Sequence, residues 1–160
     1  AKTMLLVETA EAVEAIDDIL NIPGIDEVFI GLNDLSLSYG KSFMFELLAE
    51  DVIEDLFGKF KKKGIDYGFG GIAAIGKGTL PAEFIIGEHY RLGSGCVILS
   101  RSFCNVSNIN DYAEAEKIFK TGIREIRDYE MFCSVQDKTF FAKNRKNLCD
   151  KIKEIVGEQN

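Results

Sequence analysis

The stretch MLLVETAEAVEAIDDILNIPGIDEVFIGLNDLSLSYG, residues 4–40, decides the fold of this chain of 160 residues. It contains two short apolar runs, LLV at 5–7 and VFI at 28–30, with a helix-like segment between them. Strands that are apolar on both faces and are separated by helices are typical of a parallel sheet with right-handed crossovers. The stretch therefore predicts a strand, a helix and a second, neighbouring strand.

The alternation of strands and helices continues to about residue 104 and then stops. The predicted strands are 3–7, 27–30, a segment within 67–73, and 96–99, and the predicted helices are 10–20, 50–63, 80–92, 110–132 and 136–156. The helices are recognised by apolar residues that recur at helical spacing, and Thr9 and Thr79 are expected to cap two of them. Segment 31–40 is expected to be a loop. We predict a single α/β domain over 1–160, with four βα-type units in 1–104 and a helical extension in 105–160.

The composition indicates a globular protein and excludes some classes of partner. Hydrophobic residues make up 46% of the chain and charged residues 28%. The net charge of −7 argues against nucleic acid and anionic membranes as partners, because such surfaces attract an excess of Lys and Arg. No apolar run approaches the roughly 18 residues that span a bilayer, and no signal peptide is visible. We therefore expect a cytoplasmic protein.

The four cysteines, Cys96, Cys104, Cys133 and Cys149, form no CxxC pair. They also lack zinc-type spacing with His89, which is the one histidine of the chain. We predict reduced thiols, two of them buried, as in a cytosolic protein. His89 is predicted to be at the surface or partly buried, because it lacks the H-E-x-x-H spacing of a zinc site.

Glu8 and Asp34 follow the first two predicted strands. Neighbouring parallel strands lie about 4.8 Å apart, so carboxylates at their carboxyl ends can converge on one ion. Mg²⁺ prefers oxygen ligands and commonly takes one or two protein carboxylates, and α/β proteins place their chemistry at this end of the strands. The commoner role of such residues is simpler. On that alternative, Glu8 caps the first helix and Asp34 caps a turn.

Segment 5–40 resembles the HpcH/HpaI aldolase and citrate lyase beta-subunit family. In that family a strand ending in Glu-Thr is followed by a helix and then by a strand that runs into Gly-x-x-Asp-Leu-Ser. A further glycine comes a few residues later. Here VET stands at 7–9 and GLNDLS at 31–36. The resemblance extends more loosely through GEHYRLGSGCVILSRSF at 87–103.

The resemblance implies a divalent-metal-dependent carbon–carbon lyase that acts on a 2-keto acid or an acyl-CoA enolate. It implies that Glu8 and Asp34 bind Mg²⁺, Mn²⁺ or a similar ion. The turn from Gly31 is implied to receive the substrate carboxylate on the backbone N–H groups of Asn33 and Asp34. Such a cation stabilises an enolate oxygen as a Lewis acid. Leu6 departs from the family pattern, because pyruvate-type aldolases usually have Gln there, and the substrate subclass stays open.

The family folds as an eight-stranded barrel of about 250 residues, whereas four strands are predicted here. We therefore expect the C-terminal half of a TIM-type (β/α) barrel plus two terminal helices. The resemblance implies that the catalytic Arg and the groups that assist proton transfer belong to the other half, so this chain is expected to be inactive alone. Open strand edges favour association, and a homo-oligomer is expected. The alternative is a non-catalytic half-barrel that serves subunit assembly.

Two glycine-rich runs match parts of nucleotide-binding motifs. GIAAIGKGT at 71–79 fits G-x-x-x-x-G-K, but Gly78 stands where Ser or Thr should bind Mg²⁺. GFGGIA at 68–73 fits G-x-G-x-x-A, but it lacks a firm strand before it and a helix directly after it. A nucleotide-binding domain is therefore the less favoured alternative, and a glycine-rich barrel strand with its loop is preferred.

Arg101 lies in a Ser-Arg-Ser run after the last predicted strand. In barrels, the loops after the last two strands often bind phosphate or carboxylate. Arg101 is therefore a candidate contact for a substrate anion. A structural ion pair is the commoner role for an arginine in such a position.

Overall fold

The structure is a computed structural model, and it describes residues 1–105, 109 and 111–158. The strands are β1 (Met4–Val7), β2 (Glu27–Ile30) and β3 (Asp66–Phe69). The helices are α1 (Ala10–Glu14), α2 (Ile16–Ile19), α3 (Leu32–Ser38), α4 (Glu46–Ala49), α5 (Val52–Lys63), α6 (Ala82–Leu92), α7 (Tyr112–Ser134) and α8 (Lys138–Glu158). Strands and helices alternate up to α6, and two long helices follow.

The three strands form a parallel sheet in the order β1-β2-β3. Val7 pairs with Ile30 and Ile30 pairs with Phe69, and all three side chains are buried in the core. On the opposite face of β1, Met4 and Leu6 are 48% and 51% exposed. The α/β prediction is confirmed, and β1 is an edge strand of this sheet.

The predicted fourth strand, 96–99, is not a continuous strand. Two isolated parallel bridges, Gly68 to Cys96 and Ile72 to Leu99, join it to the segment that begins in β3. Between the bridges the chain advances four positions on the β3 side and three on the other side. One extra residue on one side is a bulge, which interrupts the regular ladder of hydrogen bonds. The prediction of a fourth regular strand is therefore wrong, although the segment lies where that strand was expected.

The caps and boundaries of the first and third predicted helices were only partly anticipated. Thr9 caps α1 as predicted, since its Oγ1 accepts a hydrogen bond from the Ala12 N–H at 3.2 Å. The predicted helix 10–20 breaks at Ala15, whose ψ of 6° departs from helical values. At α6 the N-cap is Pro81 rather than Thr79. Proline has no N–H to lose at this end of a helix.

Segment 31–40, which was predicted to be a loop, contains helix α3. Leu32 and Leu35 are buried on one face of this short helix. The helix ends at Ser38, and Gly40 follows its C-cap with a φ of 67°, in the left-handed region that favours glycine. Asn, Asp and Ser interrupt the apolar pattern, and these residues favour turns when they are considered alone. Burial of the two leucines therefore decides the local structure.

The two terminal helices are present as predicted, each shifted by two residues. Helix α8 packs on α6 of the same chain. Asn144 lies so close to Gly87 that a Cβ there would be 2.4 Å from Nδ2, and its amide donates a hydrogen bond to the Phe84 carbonyl at 2.9 Å. The fully buried Glu88 accepts a hydrogen bond from Arg145 at 3.5 Å. Helix α8 thus covers the helix layer of its own chain.

All four cysteines are free thiols. Cys133 is buried and the other three are partly buried, so the prediction of two buried thiols is wrong by one. No helix within the described part of the chain is both long and apolar enough to cross a membrane.

His89 lies in the core and not at the surface as predicted. Its side chain is 7% exposed, and its ring stacks on Phe69 with centroids 3.7 Å apart. Its Nδ1 lies 2.7 Å from the hydroxyl of Ser94. The prediction failed because the side of helix α6 that carries His89 packs directly against β3, and the sequence spacing did not indicate this packing.

Candidate functional site

The structure brings Glu8 and Asp34 together. Glu8 directly follows β1, and Asp34 lies in the first turn of α3, which follows β2. The turn after β1 and the turn after β2 are joined by a hydrogen bond, which the Gly31 N–H donates to the Val7 carbonyl at 3.0 Å. Partial burial, the negative charge of Asp34 and a side-chain hydrogen bond with Asp34 together hold the pKa of the Glu8 carboxyl above its ordinary value. Asp34 thus disfavours the ionisation of Glu8, and a cation would be attracted to the place where these two carboxylates lie close together.

Gly31 provides the space that Glu8 occupies. A Cβ on Gly31 would lie 2.4 Å from Oε1 and 2.6 Å from Cγ of Glu8. Its φ of −78° is open to any residue, so the requirement is for space and not for conformation. Any side chain at position 31 would displace the Glu8 carboxylate.

Neither carboxylate serves as the cap that the simpler alternative required. The N-cap of α1 is Thr9, and its side chain makes the capping hydrogen bond. The N-cap of α3 is Gly31, which has no side chain to make one. Asp34 Oδ1 accepts a long hydrogen bond, 3.4 Å, from the side-chain amide of Asn33. The capping alternative is therefore wrong for Glu8, and Asp34 is a first-turn residue of a helix.

The backbone at the start of α3 has N–H groups without a partner inside the helix. The first N–H groups of a helix have no partner inside it, and those of Asn33 and Asp34 fall in this first turn. Both residues are exposed. The positive end of the helix dipole favours an anion here. Binding of a substrate carboxylate at these two N–H groups remains a prediction.

The donor set fits a hard divalent cation. Two carboxylates suit Mg²⁺ or Mn²⁺, which fill their remaining positions with water or substrate oxygens. Among the described residues there is no group of three or more His, Cys, Asp and Glu that could hold a metal. A closed zinc site, which needs about four protein ligands, is therefore not formed by this part of the chain.

Arg101 lies at the same end of the sheet but is not brought to the carboxylates. It follows segment 96–99, which is separated from β1 by β2 and β3. Its side chain is exposed, and the ion pairs of the described residues do not include it. The alternative of a structural ion pair thus has no support, and contact with a substrate anion remains a prediction.

A cavity of about 590 Å³ lies among α6, α7 and segment 93–97. It is lined by His89, Ser94 and Cys96, and by Arg127 and Glu130 of α7. Burial lowers the pKa of His89 to about 3, so the imidazole is neutral at ordinary pH. These groups do not contact Glu8 or Asp34, and the cavity is not part of the candidate site.

The loop after β3 does not form a phosphate cradle. The Gly76 N–H donates a hydrogen bond to Oε1 of Glu83 at 3.1 Å, so a carboxylate occupies a place that a phosphate would need. Helix α6 begins at Ala82, five positions after Lys77, whereas the P-loop lysine stands at the start of its helix. No helix begins directly after Ala73, which also argues against the dinucleotide motif.

One contact of the site was not predicted. The hydroxyl of Ser38, at the end of α3, accepts a hydrogen bond from the backbone N–H of Ala10 at 2.9 Å. Ser38 lay in a segment that was predicted to be a loop, so its helical position relative to Asp34 was not available from the sequence. The Gly-x-x-Asp-Leu-Ser motif ends at Ser36, so the resemblance gave no signal for Ser38 either.

Comparison with known proteins supports the resemblance. A hydroxypyruvate/pyruvate aldolase from Rhizorhabdus wittichii is 35% identical to this chain over 79 residues. The match covers 45% of this chain and 32% of that protein, so the chain spans about a third of the length of this relative. No family model matches the chain.

The fold is similar to that of an HpcH/HpaI aldolase from Desulfitobacterium hafniense. The TM-score is 0.52 at 23% sequence identity, and the match covers 79% of this chain and 42% of that one. The predicted resemblance to the HpcH/HpaI aldolases is thus confirmed, and the fold agrees with part of the barrel of such a protein.

Proposed function

We propose that this chain carries the metal-binding part of a divalent-metal-dependent carbon–carbon lyase of the HpcH/HpaI type. Its substrate would be a 2-keto acid or an acyl-CoA enolate. The observation that carries the proposal is the convergence of Glu8 and Asp34 at the carboxyl ends of two neighbouring parallel strands. An aldolase or lyase activity is also supported by the names of the similar proteins.

Separate residues would bind the metal and the substrate. Glu8 and Asp34 would hold Mg²⁺ or Mn²⁺, and Gly31 leaves the space in which the Glu8 carboxylate lies. The N–H groups of Asn33 and Asp34 would orient the substrate carboxylate. A cation bound here would supply Lewis-acid stabilisation of an enolate oxygen. Arg101 could neutralise a more distant anionic group of the substrate.

Turnover is proposed to need more than this site. An aldolase must also move protons, which requires acid–base groups within hydrogen-bond reach of the reacting atoms. None of the described residues is assigned that role or the role of the family's catalytic arginine. We infer that the other half of such a barrel supplies them, and that this chain alone binds metal without completing the reaction.

The first test is binding of Mn²⁺ to the whole chain, followed by electron paramagnetic resonance. Glu8→Gln removes one ligand charge without changing the shape of the side chain, and affinity should fall at least tenfold. Glu11→Gln is the matched control, because Glu11 is exposed in the first turn of α1 and has no part in the site. The circular dichroism of all three proteins should be the same.

Equal weak binding by all three proteins would overturn the metal site. It would favour the alternative of a non-catalytic assembly module. The exposed apolar side chains of Met4 and Leu6 on β1 are consistent with that alternative. Thermal stabilisation by ATP that disappears in Lys77→Ala would favour a nucleotide-binding domain instead.

A further inference from the structure

Ser38 connects helix α3 to the segment that carries Glu8. Its Oγ accepts a hydrogen bond from the Ala10 N–H at 2.9 Å. Ala10 is the first residue of α1, so its N–H has no partner within that helix. Ser38 stands four positions after Asp34 on α3, and residues at this spacing lie on the same helix face. One face of α3 therefore approaches the β1–α1 turn at two points.

Three contacts fix the two turns against each other. The Gly31 N–H bonds the Val7 carbonyl at 3.0 Å, and the Glu8 side chain lies against Gly31. These two contacts lie at the strand end of α3. The hydrogen bond of Ser38 lies at the other end of the same helix. Without it, α3 could pivot about Gly31, and the separation of the two carboxylates would change.

We propose that Ser38 is a positioning residue that sets the separation of Glu8 and Asp34. It would act by holding α3 and the start of α1 in fixed relation, without touching the metal or the substrate. This inference rests on the proposed function, because its consequence is measured as metal affinity. Groups that orient metal ligands commonly affect affinity by about 10- to 100-fold when they are removed.

A purely structural role for Ser38 would be to cap α1. Thr9 provides the control for that role, since it caps the same helix through Ala12 but makes no described contact with α3. Ser38→Ala and Thr9→Ala each remove one hydroxyl acceptor from the first turn of α1. They differ in that Ser38→Ala alone removes the connection to α3.

The test is the dissociation constant of Mn²⁺ for the whole chain and for Ser38→Ala, Ser38→Thr and Thr9→Ala. Ser38→Ala should weaken binding at least tenfold, while Ser38→Thr, which keeps the hydroxyl, should restore it. Thr9→Ala should bind as the unchanged chain does. Hydrogen exchange of the Ala10 amide should accelerate in Ser38→Ala and return to its ordinary rate in Ser38→Thr.

Two results would overturn the inference while leaving the proposed function in place. One is tight Mn²⁺ binding by Ser38→Ala, and the other is an equal loss in Thr9→Ala and Ser38→Ala. If the unchanged chain itself does not bind Mn²⁺, the proposed function fails, and the inference that rests on it fails too.

Discussion

The side chain of Glu8 lies across the backbone of Gly31, and this contact sets where one of the two carboxylates can be. The atom nearest to a Cβ at position 31 would be Oε1, the far end of a flexible side chain. A methyl group there would therefore be accommodated by rotation of Glu8 rather than by movement of the backbone. The fold should stay intact, but the position of the Glu8 carboxylate relative to Asp34 should change.

We predict that Gly31→Ala weakens Mn²⁺ binding by about tenfold or more, because Glu8 is the ligand that moves. Gly58→Ala is the matched control, since Gly58 lies within α5 and a Cβ there would meet nothing within 4 Å. That variant should bind normally and gain roughly 0.5–1 kcal/mol in the free energy of unfolding. Manganese titration and urea unfolding of both variants check this. Normal binding by Gly31→Ala would contradict the site geometry.

The sequence predicted that Glu8 and Asp34 converge, but it did not predict the contacts that hold them in place. Glu8 and Asp34 could be predicted to converge because parallel strands place their carboxyl ends at one edge. The contact between Glu8 and Gly31, and that between Ser38 and Ala10, depend on the direction in which α3 leaves the sheet. That direction follows from the burial of Leu32 and Leu35, which a pattern of short apolar segments did not reveal.

Strand β3 and helix α6 meet through a stacked pair of rings. The imidazole of His89 lies 3.7 Å from the ring of Phe69, with an angle of 3° between the two planes. Its Nε2 is buried without a hydrogen-bond partner among the described residues. Because burial penalises the charged imidazolium, the pKa of His89 falls from 6.5 to about 3. The folded protein therefore holds this residue neutral.

Acid should weaken this packing, because the unfolded chain binds a proton at His89 below pH 6.5 and the folded chain does not until about pH 3. Its contribution is fully present above pH 6.5 and is lost as the pH falls toward 3. The expected loss is about 1.4 kcal/mol per pH unit in the free energy of unfolding. His89→Phe keeps an aromatic ring against Phe69 and should lack this component.

Urea unfolding of both proteins at pH 6.5 and pH 5 measures the difference. Carboxylates titrate in both proteins, so the comparison between the two isolates the histidine. The unchanged chain should lose about 1.6 kcal/mol more than His89→Phe over this interval, because the unfolded histidine is already half protonated at pH 6.5. Identical pH dependence would show that His89 is accessible to protons in the folded chain.

The elements themselves were predictable where the apolar pattern was long. Helices α5, α7 and α8 were found within two residues of their predicted bounds, since repeated apolar residues define one face over several turns. Segment 96–99 has a continuous apolar run, and yet it forms bridges at Cys96 and Leu99 only. The extra residue lies in the paired segment between Gly68 and Ile72. The apolar run at 96–99 cannot reveal an irregularity of the segment that pairs with it.

The described part of the chain leaves one edge of its sheet and part of one face uncovered. Strand β1 pairs on one side only in the sheet, and its side chains Met4 and Leu6 are half exposed. Ile98, beyond β3, is 56% exposed. Helix α8 packs on α6 of its own chain and therefore does not cover this side. A parallel sheet is normally covered on both faces, so these apolar residues favour association with a further protein surface.

We predict that the chain associates through this face and that Leu6→Lys weakens the association. A lysine at a half-exposed position of an edge strand opposes pairing with a neighbour and costs little in the free chain, because its ammonium group reaches water. Ile22→Lys is the matched control, because Ile22 is 59% exposed and lies in the segment before β2, outside the strands of the sheet. Sedimentation equilibrium over a range of concentrations should give a mass above that of a monomer for the unchanged chain and for Ile22→Lys, and a mass closer to the monomer for Leu6→Lys.

A chain that stays monomeric at every concentration would contradict the prediction. Equal association of all three proteins would place the contact elsewhere, for which the exposed Tyr112 and Ile123 of α7 are the next residues to change.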